Sequence, residues 1–135
     1  MGPKENVACR WFAEVWNRKD ADAIHRLGTP DMIAHGPDGS HRSPADFAAF
    51  HNALVTAVPD MHVDVKHCAE GRDMVAVQWV ARGTHTGVAD GMPKPSGRPI
   101  EISGLTLVRV ADGKCAEGWD DYDVAELMRQ LGATV

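Results

Sequence analysis

The sequence predicts an α+β domain in which helices pack on one face of a curved antiparallel sheet. Apolar residues recur at helical spacing between Val7 and Val58, and from Met61 onward they alternate with a period of two. The strand-like runs follow one another through mostly short turns, as in an antiparallel meander. A length of 135 residues suits one domain, residues 1–135, with a single sizeable core.

Val7, Ala8, Trp11, Phe12, Val15 and Trp16 share one face of an opening helix that stops around Asn17 to Lys19. Asp20 can cap a shorter helix through Ala23, Ile24 and Leu27, which Gly28 ends before a bend at Thr29-Pro30. Asp31 to His35 reads as a short strand, and Pro37-Asp38-Gly39-Ser40 as a turn. Ser43-Pro44 joins a capping side chain to a proline at the first helical position. Phe47, Phe50, Leu54 and Val58 mark the buried face of that third helix, and Pro59 closes it.

Met61, Val63 and Val65 then alternate with His62, Asp64 and Lys66, the period of a half-buried strand. Glu70 to Asp73 turns it into Met74 to Thr86. Ile100 to Val110 turns at Ala111-Asp112-Gly113 and pairs with Lys114 to Asp121. Asp123 with Glu126 three residues on forms a capping box before Val124, Leu127, Met128 and Leu131. The connection from Gly87 to Pro99 holds three glycines and three prolines, with Met92 as its one apolar anchor. It reads equally as a flap over a pocket mouth or as a plain surface excursion.

Composition narrows the function. A net charge of −5 without a cluster of Lys or Arg argues against nucleic acid. No apolar run approaches the roughly 20 residues of a membrane span, and Met1 to Asn6 is polar rather than a signal core. Cys9, Cys68 and Cys115 are odd in number and widely spaced, which fits reduced thiols in a cytoplasm rather than a disulfide framework. With no C-x-x-C pair, neither a zinc site nor a catalytic cysteine is expected.

The chemistry gathers at the end of the last strand, where Asp120 and Asp121 follow apolar and aromatic residues. Parity sets Glu117, Trp119 and Asp121 on one face and Gly118 and Asp120 on the other, but a bulge near Gly118 would exchange them. A solvated strand end is the plainer reading of either acid; a carboxyl at a pocket mouth, with its pKa raised by burial, is the functional one. Asp123 is better explained as a helix cap. Of seven histidines, His35 and His85 end strands where they can face a cavity. His25, His41, His51, His62 and His67 fall on expected helix surfaces, a turn or an exposed strand face, and no set has metal-ligand spacing. Trp11, Trp16, Trp79 and Trp119 serve as core or as aromatic walls beside a carboxylate. No nucleophile elbow, phosphate-binding loop or dinucleotide fingerprint is present.

Several stretches in order resemble a known family: Val15-Trp16-Asn17, Val58-Pro59-Asp60-Met61 and Gly83-Thr84-His85-Thr86-Gly87, then Gly91-Met92-Pro93, Asp112-Gly113-Lys114 and Leu127-Met128-Arg129-Gln130-Leu131-Gly132. Together they are similar to the SnoaL-like polyketide cyclases, within the cone-shaped fold of nuclear transport factor 2 and ketosteroid isomerase. The resemblance implies a cofactor-free proton transfer, such as an intramolecular aldol cyclisation of a small apolar or polyketide-like carbonyl substrate. It places the general acid/base on Asp120, with Asp121 in reserve. His35, Thr106 and His85 would orient a carbonyl, while Trp79, Trp119 and Met92 would shape the pocket. Where the aldol cyclases carry a histidine on the neighbouring strand, this chain has Thr106. The outward aliphatic residues Leu105 and Leu107 suggest a homodimer through the sheet. Two alternatives stay open: an epoxide hydrolase or dehydratase, which would need a second acid and an Arg or Tyr near Asp120, and a non-catalytic small-ligand binder.

Overall fold

Asn6 starts the first helix by accepting the Cys9 backbone N–H on its Oδ1 at 2.8 Å. The computed structural model describes residues 6–37 and 39–132; the polar lead-in Met1 to Glu5 and the Asp38 position of the expected turn lie outside them. Helix α1 (Val7–Trp11) runs directly into a π-helical turn, Phe12–Asn17. Such widened turns often occur at functional sites, and this one presents Phe12 and Trp16 to the sheet. Asn17 locks its end to the sheet, donating to the Val63 carbonyl at 2.9 Å and accepting the Val63 N–H at 2.7 Å.

Helix α2 (Asp22–Leu27) begins where Asp20 accepts the Asp22 N–H at 3.0 Å. Strand β1 (Gly28–Gly36) is longer than the expected Asp31 to His35 and absorbs Thr29-Pro30. Pro30 is tolerated because its register with the neighbouring strand is interrupted between Gly28 and Ile33, where no ladder bond is lost. A three-residue strand β2 (Gly39–His41), too short to show periodicity, replaces the end of the expected turn. Ser43 caps α3 (Pro44–Ala57) by accepting the Asp46 N–H at 3.0 Å, and the helix stops short of Pro59.

The remaining strands are β3 (His62–Glu70), β4 (Met74–Thr84), β5 (Pro99–Ala111) and β6 (Lys114–Tyr122). Helix α4 (Val124–Gln130) follows, with Asp123 accepting the Glu126 N–H at 2.9 Å. Asp112 (φ 54°) and Gly113 (φ 75°) both take positive φ, the requirement of a two-residue type I′ hairpin between β5 and β6.

The six strands form one sheet in the order β2-β1-β6-β5-β4-β3. The antiparallel expectation fails at one pairing, because β1 runs parallel to β6 and makes the sheet mixed. Neighbours joined by a tight hairpin must be antiparallel, whereas β1 and β6 lie far apart in the chain and are free of that constraint. The helices cover one face, and the core lies between Ala8, Val15, Ile24 and Leu54 on the helices and Val77, Ile102 and Val108 on the sheet. Strand β4 ends at Thr84, two residues early, where Asp60 accepts the Thr84 N–H at 2.7 Å. Beyond it a short ladder closes the base of the long loop: His85 N–H donates to the Arg98 carbonyl at 3.0 Å and Gly97 N–H to the His85 carbonyl at 2.8 Å.

Candidate active site

The bulge in the last hairpin lies upstream of Gly118, between the Arg109–Glu117 and Val110–Cys115 pairs. Asp120 therefore stands opposite Thr106 on the helix-covered face, and Asp121 opposite Leu105 on the outer face. Thr106 donates its hydroxyl to Asp120 Oδ1 at 2.5 Å, and Trp79 donates its indole N–H to Thr106 Oγ1 at 2.9 Å. The indole proton occupies one lone pair of Thr106, so the single hydroxyl proton is aimed at the carboxylate. Gly104 makes this possible: a Cβ there would sit 2.4 Å from the Trp79 ring. Burial of the Asp120 carboxyl raises its pKa above the ordinary value of 3.8; the Thr106 hydrogen bond and the charge of His41 pull the other way and do not cancel it.

Asp120 stands between two small cavities that share Phe12 and Trp16 as a partition. One, of about 50 Å³, is lined by Trp11, Met32, Ala34, Phe47, Thr106 and Val108 among others. The second, of about 80 Å³, is walled by Phe50, Leu54, Met61, Trp79, Ile102 and Tyr122, with Leu127 of α4. Trp79 and Tyr122 stand with ring centroids 6.0 Å apart. Both cavities are smaller than the roughly 300 Å³ at which ligand pockets usually begin, and Phe12 and Trp16 stand between them.

Of the residues expected around a substrate, the structure gathers Asp120, Thr106 and Trp79. Thr106 was expected to orient a carbonyl, yet its hydroxyl proton already faces Asp120. Four others lie elsewhere. His35 pairs with Trp119 in register and falls on the outer face, because neighbouring residues across a sheet share a face. There His35 stacks on Trp119 at 5.5 Å and bonds Glu117 at 2.7 Å and Ser40 at 3.0 Å. Trp119 is likewise turned outward, at 37% exposure. His85 is fully buried at the base of the long loop, and its Nε2 has no hydrogen-bond partner among the described residues. Met92 packs on the edge of the core, and no residue from Gly87 to Arg98 lines either of the two cavities. Asp121, the reserve acid, is exposed on the outer face.

Two histidines read as surface residues are not. His51 is buried, with Nε2 2.6 Å from the Val15 carbonyl, and burial lowers its pKa. His41 pairs with Ala34 on the inner face and stacks on Phe50 at 4.6 Å, beside the cavities. The one signal for His41 would have been its parity on β2, a strand too short to read from pattern. Phe12 and Trp16 were visible as apolar helix positions, but not as the partition between two cavities. Among the described residues no group of His, Cys, Asp or Glu is arranged to hold a metal ion, and no helix is long and apolar enough to cross a membrane.

Comparison with known proteins agrees with the geometry. The chain is 28% identical to aklanonic acid methyl ester cyclase DauD of Streptomyces sp. strain C5, over 98% of this chain and 83% of that protein. The crystal structure of IdmH, a candidate polyketide cyclase from Streptomyces antibioticus, superposes with a TM-score of 0.80 at 29% identity, covering 98% of this chain and 100% of that one. AclR, a candidate hydroxylase from Streptomyces galilaeus, gives a TM-score of 0.80 at 29% identity over 97% and 83% of the two chains. The family model described as SnoaL-like polyketide cyclase matches residues 6–131, and the chain belongs to that family, with its nuclear-transport-factor-2-like fold.

Proposed function

We propose that the protein is a cofactor-independent cyclase in which Asp120 is the general acid/base. The observation that carries this reading is one partly buried carboxyl that borders two apolar cavities and is held by a single oriented hydroxyl. Proton abstraction next to a carbonyl needs a base whose pKa has been moved toward working pH, and burial moves Asp120 that way. The carboxylate removes an acidic C–H proton from a substrate carrying two carbonyls. The resulting enolate carbon attacks a second carbonyl of the same molecule, forming the C–C bond, and the Asp120 acid returns its proton to the new alkoxide. Atoms and charge balance with no further reactant. Thr106 keeps the carboxyl in one orientation through both steps, and the apolar walls exclude water that would quench the enolate. DauD, a cyclase by name, is the relative that supports this substrate class.

The same reading extends to assembly in a cytoplasm. Leu105 and Leu107 are 49% and 38% exposed beside Trp119, and a second copy of the chain covers them in a homodimer. The central test is Asp120→Asn, which preserves an acceptor oxygen for Thr106. Turnover of a diketone-type substrate should fall by roughly 10²–10⁴-fold while substrate affinity stays within a few-fold. Retained turnover in the variant would remove Asp120 from the chemistry, and a wild type inert toward every activated carbonyl compound would make the protein a binder.

A further inference from the structure

We propose that Cys9 and Cys68 form a redox-modifiable pair, closing to an intramolecular disulfide that fastens α1 to β3. Their sulfurs stand 3.1 Å apart although 59 residues separate them along the chain. A disulfide requires about 2.05 Å, so the two sulfurs need to approach by only about 1 Å. Both thiols are half-buried rather than sealed, whereas Cys115 is buried with its Sγ facing the Val7 carbonyl.

Asn6 builds the site. This buried residue caps α1 through the Cys9 N–H and turns its Nδ2 onto Cys68 Sγ at 3.2 Å and Glu70 Oε1 at 2.8 Å. The Cys9 S–H also donates to Cys68, so the Cys68 sulfur receives two donors and is the one placed to attack. Burial, then the hydrogen bond to the neighbouring Cys68, pushes the Cys9 thiol up to about 12.

The oxidant is a small disulfide, and oxidised glutathione is the probe. Cys68 attacks one glutathione sulfur, breaking that S–S bond and releasing one molecule of glutathione thiol. Cys9 then gives up its proton and attacks the Cys68 sulfur, expelling the second glutathione. Two protein thiols are oxidised and one small disulfide is reduced to two thiols. The bond would pin the helix that leads into Phe12 and Trp16, the partition between the cavities.

The experiment equilibrates the whole protein with excess oxidised glutathione and alkylates the remaining thiols after denaturation. Mass spectrometry should show a species lighter by two hydrogen atoms with one alkylated thiol, and peptide mapping should join Cys9 to Cys68. The melting temperature should rise by roughly 10 °C and fall back on reduction. Cys115→Ser should behave like wild type, and Cys9→Ser should stop at a glutathione adduct on Cys68. Three alkylated thiols, a linkage through Cys115 or between chains, or a stable glutathione adduct on the wild type would each overturn the proposal. The mapping is done on wild type, so poor folding of a variant cannot hide the result.

Discussion

Glu117 and Asp120 stand three residues apart on β6, and their surroundings push their carboxyls in opposite directions. Glu117 accepts from His35 at 2.7 Å and lies 3.5 Å from an Arg109 nitrogen; the His35 hydrogen bond, more than any other influence, holds its pKa below the ordinary 4.5. Asp120 has one hydroxyl and apolar walls, and loss of water raises its pKa despite the Thr106 bond. One neutral donor does not replace the hydration of a buried carboxylate, while a cationic partner near solvent more than does so. Glu117 is thus held toward its anionic form, and Asp120 is pushed toward its protonated one.

The contrast can be broken first at Thr106. Thr106→Val removes the donor that favours the charged form of Asp120 and strands the Trp79 N–H in the wall. A hydrogen bond to a charged group contributes about 1.5–3 kcal/mol, so turnover at neutral pH should drop by roughly ten- to hundredfold. The alkaline side should recover more than the acid side, because the base form of Asp120 then appears at higher pH. Thr106→Ser should restore both rate and profile. A pH–rate profile of kcat/KM for the three proteins decides the matter, and an unshifted limb in Thr106→Val would detach the relay from Asp120.

The sequence made local features plain and hid the ones that depend on register. Ser43 and Asp123 cap their helices, and Asp112-Gly113 turns its hairpin, because each acts on backbone within three residues. Trp79 and Thr106 meet only because β4 and β5 align them, 27 residues apart. The Cys9–Cys68 pair spans 59 residues and has no local pattern at all. A strand-end histidine beside glycine has two faces to choose from, and the parallel pairing with β6 turns His35 to the outer one. His51 read as a helix-surface residue, yet its ring reaches back to satisfy the Val15 carbonyl inside the core. Asp120 was legible through parity and family resemblance together, since parity alone left a bulge at Gly118 open.

Stability gives a second and smaller way to sharpen the comparison. A carboxyl with a raised folded-state pKa binds protons more tightly in the folded than in the unfolded chain. Its burial therefore costs nothing below the unfolded value near 3.8, and stability declines as pH rises toward the folded value. Asp120→Asn should consequently be more stable than wild type at pH 7, by about 1.4 kcal/mol for each unit of elevation, with the gain vanishing in acid. Urea denaturation at pH 4 and pH 7 measures it. An equal difference at both pH values would mean that the carboxyl is not desolvated in the folded protein.

The smallest effects on turnover belong to the outer face. Glu117→Gln, at a residue that also borders the smaller cavity, should lower turnover far less than Asp120→Asn does, while removing stability that is present above pH 4.5 and lost as pH falls through the lower folded value. Leu107→Glu places a charge in the apolar stripe beside Trp119 and should convert the proposed dimer to monomers, seen by sedimentation, with kcat unchanged. Both positions lie on the same two strands as Thr106 and Asp120, so they control for any general loosening of the sheet. A loss of turnover in either variant comparable to that of Asp120→Asn would show that the two faces act together, and the chemistry could then no longer be assigned to the inner carboxyl alone.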